Sequence, residues 1–367
     1  MSVFSDSAFD DHERVLFCRD KGTGLFGIIA VHSTALGPGT GGCRLWNYSN
    51  PEEALHDVLR LSRAMSYKNA MARLKLGGGK AVIMKTPQFS GSDALYERFG
   101  EYIESLNGSY VTAEDVGMTS EIMQTLATKT RYVTGLSPKP GKAGGDPSPF
   151  TAYGVFCGIE AAVEMKLGQS NLKGLKVAVQ GLGNVGYNLC RLLNKAGASL
   201  VVSDIDSGRV ERACMEFSAS SVGIDEILFE DVDVLAPCAL GAILNEQSIP
   251  RIKAPIVAGG ANNQLQNDAD GQRLVDIGIL YAPDYVINAG GVINIEAEYY
   301  GDVDEQGVMQ QTAMIGERLA GIFEEAKRTG EPTNQIADRQ ARAIISGSAI
   351  EDAELKQKTM YSAVNLF

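Results

Sequence analysis

The spacing of apolar positions changes period several times along the first third of the chain. Val15-Leu16-Phe17-Cys18 is a short apolar run, Lys21-Gly22-Thr23-Gly24 is a turn by composition, and Leu25 to Val31 is a second run. This pattern predicts two strands joined by a turn. Gly37-Pro38-Gly39-Thr40-Gly41-Gly42 reads as a loop. From Pro51 the period becomes helical, with Ala54, Leu55, Val58, Leu59, Ser62 and Met65 on one stripe. Asn50 is suited to the N-cap and Pro51 to the first helical position. The helix is expected to end near Ala72, ahead of Gly77-Gly78-Gly79-Lys80.

Residues 136–149, rich in Pro, Gly, Lys and Ser, read as a linker or hinge. Beyond it the texture changes. Val177-Ala178-Val179 is a short buried strand, and Asn184 to Ala196 is a helix stopped by Gly197. Further strands are expected at Leu200-Val201-Val202, Val232 to Leu235 and Pro255 to Ala258. Strands alternating with helices imply βαβ units and a parallel sheet. A last long helix is expected over about Val308 to Ala326, with Val308, Ile315, Leu319, Ile322 and Phe323 on one stripe. No internal repeat stands out.

Length and charge narrow the function classes. The chain has 367 residues, which favours two domains over one core. Lys and Arg number 33 against 45 Asp and Glu, a net charge of -12. So acidic a chain is a poor match for phosphate backbones, so nucleic acid is not expected as a partner. Met1 to Arg14 lacks a basic stretch followed by an apolar one, and no apolar run approaches a membrane span. The expectation is a cytoplasmic protein with no membrane partner. The six cysteines form no CxxC pair and are expected as reduced thiols. The three histidines form no cluster and there is no HExxH or GxSxG motif, so no metal site and no hydrolase nucleophile are expected.

Chemistry enters at Gln180-Gly181-Leu182-Gly183-Asn184-Val185-Gly186, a GxGxxG between a strand and a helix. Gly181 suits the tight turn, Gly183 leaves room for a pyrophosphate, and Gly186 lets the helix approach the strand. The helix N-terminus around Asn184 and Val185 offers amide donors and a favourable dipole to phosphates. Asp204 lies 18 residues beyond Gly186, near the spacing of a carboxylate that holds a ribose 2′-hydroxyl. A carboxylate there repels a 2′-phosphate, so NAD is expected over NADP.

Lys68 and Lys80 flank apolar or glycine-rich sequence. A Walker A reading of the second fails, because Leu74 and Ala81 stand where a Gly and a Ser or Thr are needed. A glycine run can instead bring backbone against a small substrate and aim the lysine into a cleft. Two lysines in a desolvated cleft lower each other's pKa, so that one serves as base while the other holds a carboxylate. Glu114 and Asp115 follow the strand-like Tyr110-Val111. In extended backbone they point to opposite faces, and the pattern leaves open which one faces the site.

Together these segments resemble the leucine, phenylalanine and valine dehydrogenases of the glutamate dehydrogenase superfamily. The resemblance runs through Leu36-Gly37-Pro38, Gly41-Gly42-Cys43-Arg44, Tyr67-Lys68, Gly77 to Lys80 and Ala113 to Val116. It continues through Pro147 to Gly154, Gln180 to Gly183, Ala236 to Ala239, Ala261 to Gln264, Ala282 to Tyr285 and Asn288 to Gly291. It implies an α/β fold of two domains with a cleft between them. Residues 1–135, joined by 332–367, would form a mixed-sheet substrate and oligomerisation domain, and 136–331 a Rossmann domain. It also implies a homo-oligomer, often an octamer.

Roles follow at the matching positions. Lys80 resembles the general base that activates water, Asp115 the proton shuttle to the amine, and Lys68 the partner of the substrate carboxylate. Glu114 is then the solvent-facing neighbour. Gly41 and Gly42 resemble glycines whose backbone lies against the substrate, and Asn288 a residue that helps hold its carboxylate. Thr151, Asn263, Cys238 and Ala239 correspond to cofactor-binding positions. The side-chain pocket corresponds to Thr40, Ala113, Val292 and Ile295, none of them charged. The implied reaction is reversible, NAD-dependent deamination of an apolar L-amino acid to a 2-oxo acid and ammonia. Leucine, valine and isoleucine lead, although Thr40 is smaller than a leucine pocket suggests, which keeps phenylalanine or tryptophan in play. Two other classes make different demands. A non-catalytic NAD-binding protein would have lost Lys68, Lys80 or Asp115, and an NADP-linked glutamate or malic-type enzyme would need a basic residue beside Asp204, for which Arg209 is the nearby candidate.

Overall fold

Alternating apolar and β-branched positions build the first sheet. The computed structural model describes residues 2–136 and 143–348. β1 (Arg14–Asp20) and β2 (Leu25–Ser33) form an antiparallel hairpin. β3 (Gly39–Trp46), α1 (Pro51–Met71), β4 (Gly77–Met84), α2 (Asp93–Ser105), β5 (Tyr110–Glu114) and α3 (Ser120–Ala127) follow. The strand order is β1-β2-β4-β3-β5, with β2 and β4 antiparallel and β3 parallel to β4 and β5. The helix expected from Pro51 is present, and the Asn50 side chain accepts the Glu53 amide at 2.8 Å. Its stripe of Ala54, Leu55, Val58 and Leu59 buries against Ile28, Ala30, Val82 and Met84 of the sheet.

Two glycine-rich segments differ from the sequence expectation. The segment read as a loop over Gly37 to Gly42 enters the sheet at Gly39, and Gly77 to Gly79 open β4. Composition misleads here because the glycines answer to packing. A Cβ on Gly78 would lie 2.1 Å from Ser66 Oγ and 2.2 Å from its amide nitrogen, so α1 rests directly on β4. In this unit the glycine run serves helix-on-sheet approach.

The second unit is wound around a parallel sheet. α4 (Ser148–Leu167), β6 (Lys176–Gln180), α5 (Asn184–Lys195), β7 (Ser199–Ser203), α6 (Ser207–Phe217) and β8 (Ser220–Ser221) come first. β9 (Val234–Pro237), β10 (Ile256–Val257), α7 (Ala269–Asp276), β11 (Leu280–Tyr281), α8 (Asp284–Ile287), α9 (Gly290–Tyr300) and α10 (Glu305–Thr329) follow, and α11 (Thr333–Ile345) starts in this unit and passes into the first from Asp338. The order β11-β10-β9-β6-β7-β8 is parallel throughout and reverses between β6 and β9, the doubly wound pattern. Ala178, Val201, Leu235, Val257, Leu274 and Tyr281 share one buried cluster.

Packing divides the chain into Met1–Ser137 with the segment from Asp338, and Pro138–Ala337. Two further expectations shift. The linker reading overran into α4, which begins at Ser148, and its residues 137–142 lie outside the described ones. The helix expected to be last is followed by α11, whose short apolar stripe was missed. The six cysteines carry thiols, and burial pushes Cys18 up to about 12. No helix among the described residues is long and apolar enough to cross a membrane.

A histidine pair is buried beneath α1. The His12 and His32 rings stand 4.9 Å apart, His12 Nε2 is 3.0 Å from Leu59 O, and His32 Nδ1 is 2.7 Å from Ser66 Oγ. Burial pushes His32 down to about 4 and lowers His12 as well, against partial support from Asp10 and with Arg63 opposing protonation. The unfolded chain therefore binds a proton that the folded chain refuses between about pH 6.5 and pH 4. Stability is full above that window and is lost as pH falls through it, by up to about 3 kcal/mol for His32. Tm measured from pH 7 to pH 4 is expected to fall, and to fall less in His32→Gln. Parallel curves for the two proteins would remove His32 as the cause.

Candidate active site

The first unit brings together Lys80 of β4, Arg44 of β3 and Asp115, which follows β5. Lys80 shares the β4 alternation with Val82 and Met84, yet it is only 7% exposed and needs a partner. It finds one in Asp115, whose Oδ2 lies 2.8 Å from Lys80 Nζ. β5 ends at Glu114, and Glu114 and Asp115 turn to opposite sides as extended backbone requires. Glu114 is exposed and accepts the Ser120 hydroxyl, while Asp115 turns inward. Arg44 Nε reaches the same Asp115 oxygen at 3.3 Å. Burial pushes the Asp115 carboxyl up, but Lys80 and then Arg44 outweigh it and hold it below its ordinary value.

The remaining candidates of this unit lie close by in the fold. Lys68 is half-buried in the last turn of α1, the helix that covers β4. Thr40 is 1% exposed and its hydroxyl donates to Pro38 O at 3.1 Å. Gly42 pairs with Ala113 in the β3–β5 ladder. A Cβ on Gly42 would stand 2.5 Å from Glu114 O and 2.7 Å from Asp115 Cβ, and one on Gly41 would stand 2.0 Å from Gly79 O. Both glycines are thus demanded by strand packing, whatever else lies against them.

The second unit displays the three glycines of GxGxxG in three distinct surroundings. Gly181 has φ of 91° and donates its amide to Ser203 O at 2.7 Å, which makes the tight turn. A Cβ on Gly186 would fall 1.9 Å from Gly181 O, so α5 is pressed onto the loop. A Cβ on Gly183 would meet nothing within 4 Å. Gly183 is also the N-cap of α5 and makes no side-chain cap, so the first-turn amides at Asn184 and Val185 are not capped by it. Open space, bare amides and a strand-order reversal between β6 and β9 fit a dinucleotide pyrophosphate.

Around this loop the other candidates are fixed by packing. Asp204 Oδ2 accepts the Leu182 amide at 2.6 Å, so it closes the glycine loop, a task the sequence spacing did not reveal. Arg209 Nη1 stands 3.9 Å from Asp204 Oδ2, the basic neighbour considered above. Ala239 packs on Gly181, and Cys238, its thiol pushed up to about 11 by burial, packs beside Gly186. Asn263 has φ of 52°, in the left-handed region. Asn288 Nδ2 donates to Asn262 Oδ1 at 2.7 Å, while its Oδ1 is buried without a hydrogen bond. Thr151 Oγ1 donates to Pro147 O at 3.1 Å. Val292 is buried and Ile295 half-buried, one helical turn apart on α9. Among the described residues no His, Cys, Asp and Glu group is placed to hold a metal ion.

A buried lysine–aspartate pair in one unit and a GxGxxG-bearing parallel sheet in the other define a two-unit dehydrogenase of the dinucleotide-binding class. Residues 12–132 match the Glu/Leu/Phe/Val dehydrogenase dimerisation domain, and residues 146–213 and 208–357 match the Glutamate/Leucine/Phenylalanine/Valine dehydrogenase domain. The chain is 49% identical over 345 residues to a leucine dehydrogenase of Geobacillus stearothermophilus, covering 94% of each. It is 45% identical to a valine dehydrogenase of Streptomyces virginiae, covering 91% of this chain and 94% of the relative. The crystal structure of an L-tryptophan dehydrogenase from Nostoc punctiforme superposes with a TM-score of 0.81 at 46% identity, over 92% of this chain and 96% of that one. The chain belongs to this family of amino-acid dehydrogenases.

Sequence reasoning singled out Lys80 and Asp115 but gave Arg44 no role and passed over Asp57 and Tyr48. Arg44 Nη1 bonds Asp57 Oδ2 at 2.9 Å, and the Tyr48 hydroxyl donates to the same oxygen at 2.7 Å. Asp57, an acid inside an apolar-striped helix with Ala54 and Val58 on either side, was the available signal.

Proposed function

We propose that the protein is an NAD-dependent dehydrogenase that deaminates a branched-chain L-amino acid, leucine, valine or isoleucine, reversibly to its 2-oxo acid and ammonia. The observation that supports it most is the 2.8 Å contact of buried Lys80 with Asp115, joined to a glycine loop with open space at Gly183. A bound nicotinamide supplies the acceptor for the hydride that leaves the substrate Cα. Lys68 pairs with the substrate carboxylate, which fixes the reacting carbon. Lys80 takes a proton from the water that attacks the imine. Asp115, ionised at rest because Lys80 and Arg44 hold its pKa down, takes that proton on from Lys80 and passes it to the departing amine. Asn288 is assigned to the substrate carboxylate through its Nδ2 donor, which bonds Gly260 O and Asn262 Oδ1 in the structure, and Thr151 and Asn263 are assigned to the nicotinamide end. Asp204 holds the adenosine ribose.

The resemblance assigns the substrate side chain to Thr40 and Ala113 of the first unit and to Val292 and Ile295 of the second, and the absence of charge among these four disfavours glutamate. Gly41 and Gly42 present backbone to the substrate. The dimerisation-domain match supports a homo-oligomer, and we place it as an octamer in the cytoplasm.

Reduced-coenzyme formation with a panel of L-amino acids, each with NAD and NADP, tests the reading. The expected result is activity with NAD on the three branched-chain substrates. Turnover mainly of phenylalanine or tryptophan keeps the mechanism and overturns the pocket assignment, while preference for NADP assigns Arg209 the upper hand over Asp204. NAD binding without turnover of any amino acid sinks the enzyme reading.

A further inference from the structure

We infer that Arg44 is a positioning residue for the reaction, holding Asp115 between two cations so that Lys80 is not its sole partner. The inference rests on the role proposed above for Asp115. Strand packing sets up the geometry. Gly42 has no room for a Cβ beside Asp115, and the β3–β5 alignment continues past the last strand residue through the Leu45 amide on Val116 O at 2.9 Å. Arg44 therefore runs alongside Asp115. Its side chain is one quarter exposed, and its guanidinium spans two carboxylates, with Nε on Asp115 Oδ2 at 3.3 Å and Nη1 on Asp57 Oδ2 at 2.9 Å.

Asp57 is the anchor that keeps the fork in place. It sits on α1, is 16% exposed, and also accepts Arg60 Nη2 at 3.0 Å and the Tyr48 hydroxyl at 2.7 Å. Desolvation of the guanidinium is outweighed by Asp115 and Asp57, so the cation is retained. A planar fork can bond two carboxylates at once, which a compact ammonium cannot do with the same geometry.

The consequence concerns proton transfer. A lone Lys80–Asp115 pair would leave the carboxylate with one cation and free to rotate about it. With Arg44 on the same Oδ2 atom, Asp115 has a second counter-charge and a fixed orientation while protons pass between it and Lys80. Removing Arg44 also leaves Asp57 and Asp115 short of a counter-charge at a partly buried site.

Arg44→Gln is expected to lower kcat by on the order of tenfold to a hundredfold, the scale of a lost charge-assisted hydrogen bond. KM for NAD should hold, and the acid limb of the kcat–pH profile should move up by about one unit as Asp115 loses a cation. Arg44→Lys should fall between, with a smaller step of the limb in the same direction. If Arg44→Gln does not accumulate as folded protein, Arg44→Lys carries the test. An acid limb that stays in place in whichever variant folds, even with a lowered Tm, makes Arg44 a strand-to-helix tie and overturns the inference. Asp115→Asn is assayed alongside. Full activity there sinks the role of Asp115 itself, whereas loss there with an unmoved Arg44 limb sinks the Arg44 assignment alone.

Discussion

Lys80→Ala is expected to abolish most turnover, lowering kcat by about 10²–10⁴-fold with NAD binding unchanged. The residue is built into the middle of a sheet, paired with Ala30 of β2, where a lysine costs free energy unless it is bonded. Its bond to Asp115 is the one such contact it makes with a carboxylate among the ion pairs described. Truncation leaves Asp115 with Arg44, so the carboxylate keeps a counter-charge and the fold keeps its strand. The kinetic loss should therefore exceed any change in Tm. Asp115→Asn should cost a comparable factor, and the double variant should be little worse than either single one, because the two residues act as a unit. Steady-state kinetics with the preferred amino acid checks this, with coenzyme-induced thermal shift as the control for binding. A Lys80→Ala enzyme within tenfold of the parent places the base elsewhere.

How far the sequence revealed this site depends on whether the signal was local. The Pro51 helix, its Asn50 cap and the GxGxxG loop are local patterns, and each is present where expected. The separation of Glu114 from Asp115 was legible as alternation, although which one turned inward was not. The glycine runs misled because their cause lies in another element. Gly78 is set by Ser66 on α1, and Gly42 by the backbone at Glu114. Arg44 and Asp57 stand 13 residues apart on a strand and a helix, and no periodicity links them. Asp204 was found by spacing, but its bond to the Leu182 amide depends on the loop's folded shape. The second helix stripe after Gly330 was short and polar-flanked, which hid α11.

Gly186→Ala is expected to damage both the second unit's fold and the coenzyme binding proposed for it. The new Cβ would stand 1.9 Å from Gly181 O, 3.0 Å from Gly181 C and 3.3 Å from Cys238 Cβ. The first two obstacles are backbone, and Gly181 cannot retreat, since its amide is bonded to Ser203 O and its φ of 91° admits little else. The start of α5 must therefore lift from the loop. Overpacking of this kind costs about 3 kcal/mol, a fall of roughly 6–12 °C in Tm for a unit of this size. It also displaces the first-turn amides, so NAD should no longer raise Tm at concentrations that saturate the parent. Gly183→Ala separates the two effects. Its Cβ meets no atom within 4 Å and its φ of -65° suits alanine, so the fold should be as stable as the parent's. The same methyl group would fill the space proposed for the pyrophosphate, so the thermal shift with NAD should shrink. Thermal melts of both variants, with and without NAD, decide the matter. Parent-like stability in Gly186→Ala would contradict the loop–helix contact, and an undiminished NAD shift in Gly183→Ala would move the pyrophosphate away from that glycine.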